Sequence, residues 1–254
     1  MKIGLKLWST NKHYLGQAAA LYKKGLCDYV ELFYVPGSMG LLSLWQGLGA
    51  PFIIHAPHTL EGLNPADPNS FDSNLKLAQE SFFYAERLKA PFVIFHPGME
   101  GSLDEAARQI SCFGDAARIL IENKPYQSIR DARLLFRGST PQEIKHLIDK
   151  TKAGFCLDMG HAICAANSLG KDAFGFIDEF IALAPKIYHM SDGDFSSPID
   201  AHPNLGKGNY PLQRLADRIG RNSVITIETD KAYSDTLRDF EADVAYLRGL
   251  YGGK

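Results

Sequence analysis

The chain has 254 residues, of which 45% are hydrophobic and 22% are charged, and its formal net charge at pH 7 is -2. This length fits a single α/β barrel, and a nucleic-acid partner would need a local basic patch because the chain has no global basic excess. Its four cysteines form no Cys-x-x-Cys pair, which favours reduced thiols. No apolar run approaches the ~20 residues of a membrane span, and the opening KIGLKLW reads as a strand, so we expect a cytoplasmic protein without a membrane segment.

Short apolar runs alternate with longer amphipathic segments along the whole chain. Most of these runs are continuously apolar, as strands covered on both faces are. The predicted strands are 3–8, 29–34, 52–55, 92–96, 119–122, 154–158, 187–190 and 224–228.

Helical patterns fill the intervals between the runs. The predicted helices are 72–88, 102–112, 140–150, 172–183, 211–219 and 236–250, and the segment after the second run is weakened by glycines. Asp72 is the expected N-cap of the first of these helices. Ser102 with Glu105, and Thr140 with Glu143, have the spacing of capping boxes.

Eight strands alternating with helices, without a break in composition, predict one (β/α)₈ TIM barrel over residues 1–254. A doubly wound open sheet is the alternative, but no Gly-x-Gly-x-x-Gly follows the first strand. Three long loops, 57–71, 123–139 and 191–211, each follow a strand, which places them on the catalytic face of a barrel.

Metal-ligand side chains stand where the last six strands end. The candidate ligands are His55, His96, Glu122, Asp158, His161, His189, Asp200, His202 and Glu228. Any one of them has an ordinary structural explanation, such as a helix cap or a hydrogen bond to a carbonyl. A barrel gathers all its strand ends around one mouth, however, and four carboxylates crowded there would repel one another without a cation. The set therefore predicts a site for zinc, manganese or iron.

Charge bounds the number of ions that this site would hold. Four carboxylates and three divalent ions would leave about two positive charges, which suits a phosphate diester. A single divalent ion would leave about two negative charges, which suits a neutral sugar better.

Several short motifs resemble those of endonuclease IV, within the wider AP endonuclease family 2, or xylose-isomerase-like, barrels. The matching segments are HAPH, FHPG, IEN, CLDMGHA, YHMSD, DAHPNLGKGN and IET. The resemblance implies a (β/α)₈ barrel with up to three zinc ions and attack on a phosphodiester by a metal-bridging hydroxide.

Carried over residue by residue, the resemblance assigns the ligands to three ions. It implies that one ion is held by His55, His96 and Glu122, a second by Glu122, Asp158, His189 and Glu228, and a third by His161, Asp200 and His202. Glu122 and Glu228 are the catalytic candidates.

Two loops differ from the pattern of endonuclease IV. His58 and Thr59 stand where that family inserts side chains into DNA. The fifth loop is longer and supplies Lys124, Arg130, Arg133 and Arg137 as either a phosphate clamp or a solvated surface. We expect His58, Lys124, Arg130 and Arg133 to contact a small phosphate ester, a sugar or damaged DNA, and no protein partner is implied.

The same family contains sugar isomerases and epimerases that use one divalent ion, and these remain an alternative. Glu122, Asp158, His189 and Glu228 match that ligand set equally well, with Mn²⁺ as the expected ion, and the two glutamates would move a proton beside the substrate carbonyl. A barrel that uses its metal only for binding is a third reading, disfavoured because the ligands face an open mouth.

Overall fold

A computed structural model describes residues 1–233 and 235–252. Its eight strands form one closed barrel in sequence order, and every neighbouring pair is parallel. The strands are β1 (Lys2–Trp8), β2 (Tyr29–Phe33), β3 (Phe52–His55), β4 (Val93–Phe95), β5 (Ile119–Glu122), β6 (Gly154–Asp158), β7 (Ile187–Met190) and β8 (Val224–Ile227). The predicted TIM barrel is confirmed, and each strand falls within two residues of its predicted bounds.

Helices cover the outside of the barrel. They are α1 (Leu15–Lys23), α2 (Leu42–Gln46), α3 (Phe71–Arg87), α4 (Leu103–Phe113), α5 (Pro141–Thr151), α6 (Met159–Ser168), α7 (Ala173–Ile181), α8 (Leu212–Ala216) and α9 (Arg238–Gly252). Within the described ranges, no helix is both long and apolar enough to cross a membrane.

Side chains cap several helices as the sequence predicts. The hydroxyl groups of Ser102 and Thr140 accept hydrogen bonds from the backbone N–H groups of Glu105 and Glu143, at the starts of α4 and α5. The prediction for Asp72 is wrong, because α3 begins one residue earlier and places Asp72 in its first turn, where a carboxylate favours the positive end of the helix dipole.

Three helices depart from the prediction: α8 is shorter than predicted, and α1 and α6 were not predicted. The predicted helix 211–219 is shortened to α8, whose five residues follow Pro211. Helix α6 was not predicted, because its sequence MGHAICAANS is apolar on almost every side and lacks the alternation of a surface helix. Asp158 begins α6 by accepting a hydrogen bond from the His161 N–H, so one carboxylate ends a strand and caps the next helix.

The barrel interior contains its own small apolar layer. It consists of Tyr29, Ile53, Ile94, Leu120, Cys156 and Ile187, separate from the larger core between strands and helices. Side chains alternate between the two faces of a strand, so the residue two positions further along points back into the barrel. On each strand, the residue two positions after the apolar one therefore also points into the barrel. These residues form the next layer, at the carboxyl ends of the strands.

Gly4 on β1 leaves the space that the Tyr29 ring fills. A Cβ atom at Gly4 would lie 2.3 Å from Tyr29 Cζ, and the Tyr29 hydroxyl is fixed 2.7 Å from Thr226 Oγ1. The small residue on one strand and the large ring on its neighbour thus fill the floor of the barrel together.

We predict that Gly4→Ala lowers the free energy of unfolding by about 1–3 kcal/mol, because the ring has no free space to move into. Denaturant unfolding measures this change, and the loss should shrink in a Tyr29→Leu background. Gly16→Ala on α1, where a Cβ would meet nothing within 4 Å, is the matched control and should be neutral or stabilising. An unchanged stability for Gly4→Ala would contradict the tight packing of this floor.

Candidate metal centre

Ionisable side chains form a layer directly above the apolar floor of the barrel. From the eight strands in order they are Lys6, Glu31, His55, His96, Glu122, Asp158, His189 and Glu228. Of these, His96 and Glu228 follow the last strand residue, and the others lie within or at the end of a strand. Their side chains contact one another across the barrel, so the strand ends bring sequence-distant residues into one bowl.

Glu122 is the hub of this bowl. Its carboxylate is buried, and Oε2 lies 2.9 Å from His55 Nε2, 3.2 Å from His96 Nε2 and 3.6 Å from His189 Nδ1. The other oxygen, Oε1, lies 3.2 Å from His161 Nδ1. Although burial raises the pKa of Glu122, the charges of His96 and His189 outweigh it and hold the pKa well below its ordinary value.

A second set of ligand atoms surrounds His189. Its Nδ1 atom lies 2.8 Å from Glu228 Oε2, 3.6 Å from Glu122 Oε2 and 3.8 Å from Asp158 Oδ2. Atoms that share one ion at about 2.1 Å are separated by roughly 3–3.5 Å, and these spacings lie within a few tenths of an ångström of that range. Small shifts of the side chains would therefore let them bind a common metal.

The third set lies at the edge of the bowl. Asp200 Oδ2 is 3.1 Å from His161 Nε2 and 2.9 Å from His202 Nε2. Burial lowers the pKa of both histidines, but Asp200 raises that of His202 to about 10, and Asp158 with Asp200 raises that of His161 to about 9. A metal would have to displace these protons.

Backbone carbonyl groups orient three of the histidines. The Nδ1 atoms of His55, His161 and His202 each lie 2.8 Å from a carbonyl oxygen, of Ala56, Asn123 and Glu228 respectively. A proton on Nδ1 that donates to the carbonyl leaves the Nε2 lone pair directed into the bowl, as in bound metal sites.

Three buried histidine nitrogen atoms have no hydrogen-bond partner in the described part of the chain: His58 Nε2, His96 Nε2 and His189 Nδ1. The last two face Glu122. An unpaired polar atom in a buried position is costly. A metal ion would satisfy the two atoms that face Glu122, so the residues present fit a divalent cation bound by nitrogen and oxygen.

Two residues of the layer, Lys6 and Glu31, were missed by reasoning from strand ends. Lys6 Nζ lies 2.7 Å from Glu31 Oε1 and 3.1 Å from Glu228 Oε2, while Glu31 Oε2 lies 2.9 Å from His189 Nε2. Burial raises the pKa of Glu31, but His189 and Lys6 outweigh it and lower the pKa to about 2. Glu31 is thus an anion that orients His189. The signal was present in the sequence: a charged residue inside each of the apolar strands IGLKLW and YVELF.

An open cavity with a volume of about 190 Å³ rises above the bowl between the long loops. His58, Lys124 and Arg130 line it, together with the ligand candidates His96, Glu122, His161, Asp200, His202 and Glu228. The His58 ring stacks on His96 with 4.6 Å between centroids, and burial first, then His96, holds the His58 pKa well below its ordinary value. His58 is therefore neutral at pH 7, with Nε2 buried and unpaired.

The remaining arginines of the 123–139 loop point elsewhere. The guanidinium of Arg133 pairs with Asp131 at 2.8 Å on the surface, and Arg137 donates to the carbonyl groups of Glu100 and Gly101. Arg133 does not line the cavity, so the structure does not bring it to the predicted substrate position. The carboxylate of Asp131 pairs with the Arg133 guanidinium group instead.

The family model described as xylose isomerase-like TIM barrel matches residues 43–250. This chain belongs to the xylose isomerase-like TIM barrel family. The match covers β3 to β8 and the nine candidate ligands.

A relative named probable endonuclease 4, from Thermoplasma volcanium, is 30% identical over 172 residues, which cover 61% of this chain and 58% of that protein. The chain thus spans less than two thirds of that relative.

Two solved structures share the fold. A D-tagatose 3-epimerase-like protein has a TM-score of 0.76 at 19% identity and covers 99% of this chain and 97% of its own. Endonuclease IV from Thermus thermophilus has a TM-score of 0.73 at 18% identity and covers both chains fully, at 100%. At these identities the likeness establishes the barrel and leaves the reaction open.

We predict that Glu31→Gln weakens zinc binding by about 10–100-fold, which is the usual effect of replacing a residue that hydrogen-bonds to a metal-bound histidine. The amide cannot replace the carboxylate that fixes His189. Competition with a chromophoric chelator measures the dissociation constant. Glu80→Gln, which alters a carboxylate bound to Tyr34 outside the bowl, is the control. Equal zinc affinity of Glu31→Gln and the unchanged protein would contradict this orienting role.

Proposed function

We propose that this protein is a metal-dependent hydrolase that cleaves a phosphodiester or phosphate ester. The position of Glu122 carries the proposal, because one carboxylate oxygen lies 2.9 Å from His55 Nε2, 3.2 Å from His96 Nε2 and 3.6 Å from His189 Nδ1. A carboxylate with these neighbours could be a ligand of two ions, and paired ions are typical of enzymes that cleave phosphate esters.

The ligand assignment follows the three sets of side chains. By their mutual distances, His55, His96 and Glu122 would hold one ion, and Glu122, Asp158, His189 and Glu228 would hold its neighbour, with zinc as the expected metal. The third set, His161, Asp200 and His202, has the donor atoms for another ion. When bound, the ions would activate water and stabilise charge on the oxygens of the phosphate.

The protein's own residues shape and charge the substrate position. Lys124 and Arg130 line the cavity above the ligands and would pair with phosphate oxygens. Neutral His58, stacked on His96, would contact the substrate through its unpaired Nε2 atom. The open cavity offers room for a small phosphate ester, and abasic-site DNA is the larger substrate that the resemblance to endonuclease IV implies.

A divalent-metal-dependent sugar or sugar-phosphate isomerase or epimerase is the second candidate. It is favoured by the completeness of the set around His189, which alone could hold one manganese ion. Glu122 and Glu228 would then transfer a proton beside the substrate carbonyl. The convergence of His55 and His96 on Glu122 favours the hydrolase, because an isomerase with one ion leaves these two imidazoles without a metal.

Hydrolysis of bis(p-nitrophenyl) phosphate and incision of an abasic-site duplex test the proposal with zinc-loaded protein. We expect Glu122→Gln to lower kcat/KM by about 100-fold or more. Loss of a residue that would bind two ions directly should cost at least as much as loss of a residue that only hydrogen-bonds to a metal ligand. Glu179→Gln on the exposed face of α7 is the control and should keep full activity.

The outcomes separate the substrates and the reactions. Cleavage of the small diester without incision would assign a small ester as substrate. A zinc- or manganese-loaded protein that cleaves neither compound, yet exchanges solvent deuterium into a ketose, would replace the hydrolase with the isomerase.

A further inference from the structure

Lys124 is a buried lysine at the edge of the bowl, and the loop that follows it holds it there. Its backbone N–H donates to the Gly138 carbonyl at 3.1 Å, and its Nζ atom lies 5.5 Å from the centroid of the Phe136 ring. Both contacts come from the far end of the 123–139 loop. The ammonium group is therefore enclosed between the bowl and the returning loop.

The ammonium group points at the third set of ligand atoms. Lys124 Nζ lies 3.4 Å from His161 Nε2, the same nitrogen that faces Asp200 Oδ2. A zinc ion about 2.1 Å from that nitrogen would lie within about 5.5 Å of the lysine charge and would be repelled by it. Lys6 Nζ also lies close to a ligand atom, 3.1 Å from Glu228 Oε2 of the second set, but Lys6 is paired with two carboxylates, those of Glu31 and Glu228. Lys124 forms no salt bridge with a carboxylate among the described residues, so its charge is not neutralised in the same way.

The charge of the whole bowl favours fewer than three ions. Glu31, Glu122, Asp158, Asp200 and Glu228 contribute five negative charges, and Lys6 and Lys124 contribute two positive ones. With neutral histidines as ligands, two divalent ions would leave about one positive charge, which one phosphodiester neutralises. Three divalent ions would leave about three positive charges in a buried space, which is unfavourable.

We propose that the ammonium group of Lys124 takes the place of the third metal ion, so that this chain holds two divalent ions around Glu122. The positive charge that a third ion would supply then comes from a side chain of the loop that covers the bowl. This inference rests on the metal sites of the proposed function and adds the number of ions and the residue that limits it.

The test is zinc stoichiometry of the full-length chain, measured by elemental analysis after titration with excess zinc and removal of free metal. We expect about two ions per chain for the unchanged protein and about three for Lys124→Met, which keeps most of the length of the side chain and removes its charge. The added ion should disappear in Lys124→Met with His202→Ala. Lys231→Met, which removes a lysine from the neighbouring part of the mouth, is the control and should leave the count unchanged.

Three ions in the unchanged protein would overturn the proposal, as would a Lys124→Met protein that gains none. Lys124→Gln provides a second uncharged variant, and circular dichroism verifies that each variant is folded. Zinc counts do not depend on turnover. Predicted counts without phosphate-ester cleavage would therefore contradict the proposed function while leaving this inference in place.

Discussion

A single buried carboxylate, that of Glu122, organises the centre of this protein. It is only 1% exposed and lies against imidazoles from β3, β7, the segment after β4 and α6. A buried charge that loses its partners costs about 3–5 kcal/mol, so each element that delivers a histidine helps to keep the others in place. The contacts between Glu122 and the histidines therefore both stabilise the mouth of the barrel and arrange the side chains that would bind metal.

The closed barrel determines which residues can meet at this carboxylate. Its floor is apolar, with Leu120 on β5, and the next inward position on the same strand is Glu122. The same step leads from Tyr29 to Glu31 on β2 and from Ile187 to His189 on β7. Strand alternation points Glu31 and His189 into the barrel, and closure of the barrel brings them together although they are 158 residues apart in the chain.

Most of the architecture could be predicted from the sequence, because continuous apolar runs are the mark of strands buried on both faces. Helix α6 escaped prediction, since tertiary burial makes it apolar on all sides and removes the helical period. The residues of the bowl could be predicted where a histidine or a carboxylate residue lies at the end of a strand. Lys6 and Glu31 lie inside strands, and only their charge within an apolar run reveals them. The orientation of Arg133 toward Asp131 and of Lys124 toward His161 depends on the path of the 123–139 loop, which composition does not determine.

Anomalous diffraction at the zinc absorption edge, from crystals of the zinc-loaded protein, tests the central role of Glu122 most directly. Two peaks are predicted about 2.0–2.3 Å from the Glu122 oxygens, one shared with His55 and His96 and the other with Asp158, His189 and Glu228. A bowl without zinc, or zinc bound only to surface histidines such as His146, would contradict a metal centre built on this carboxylate.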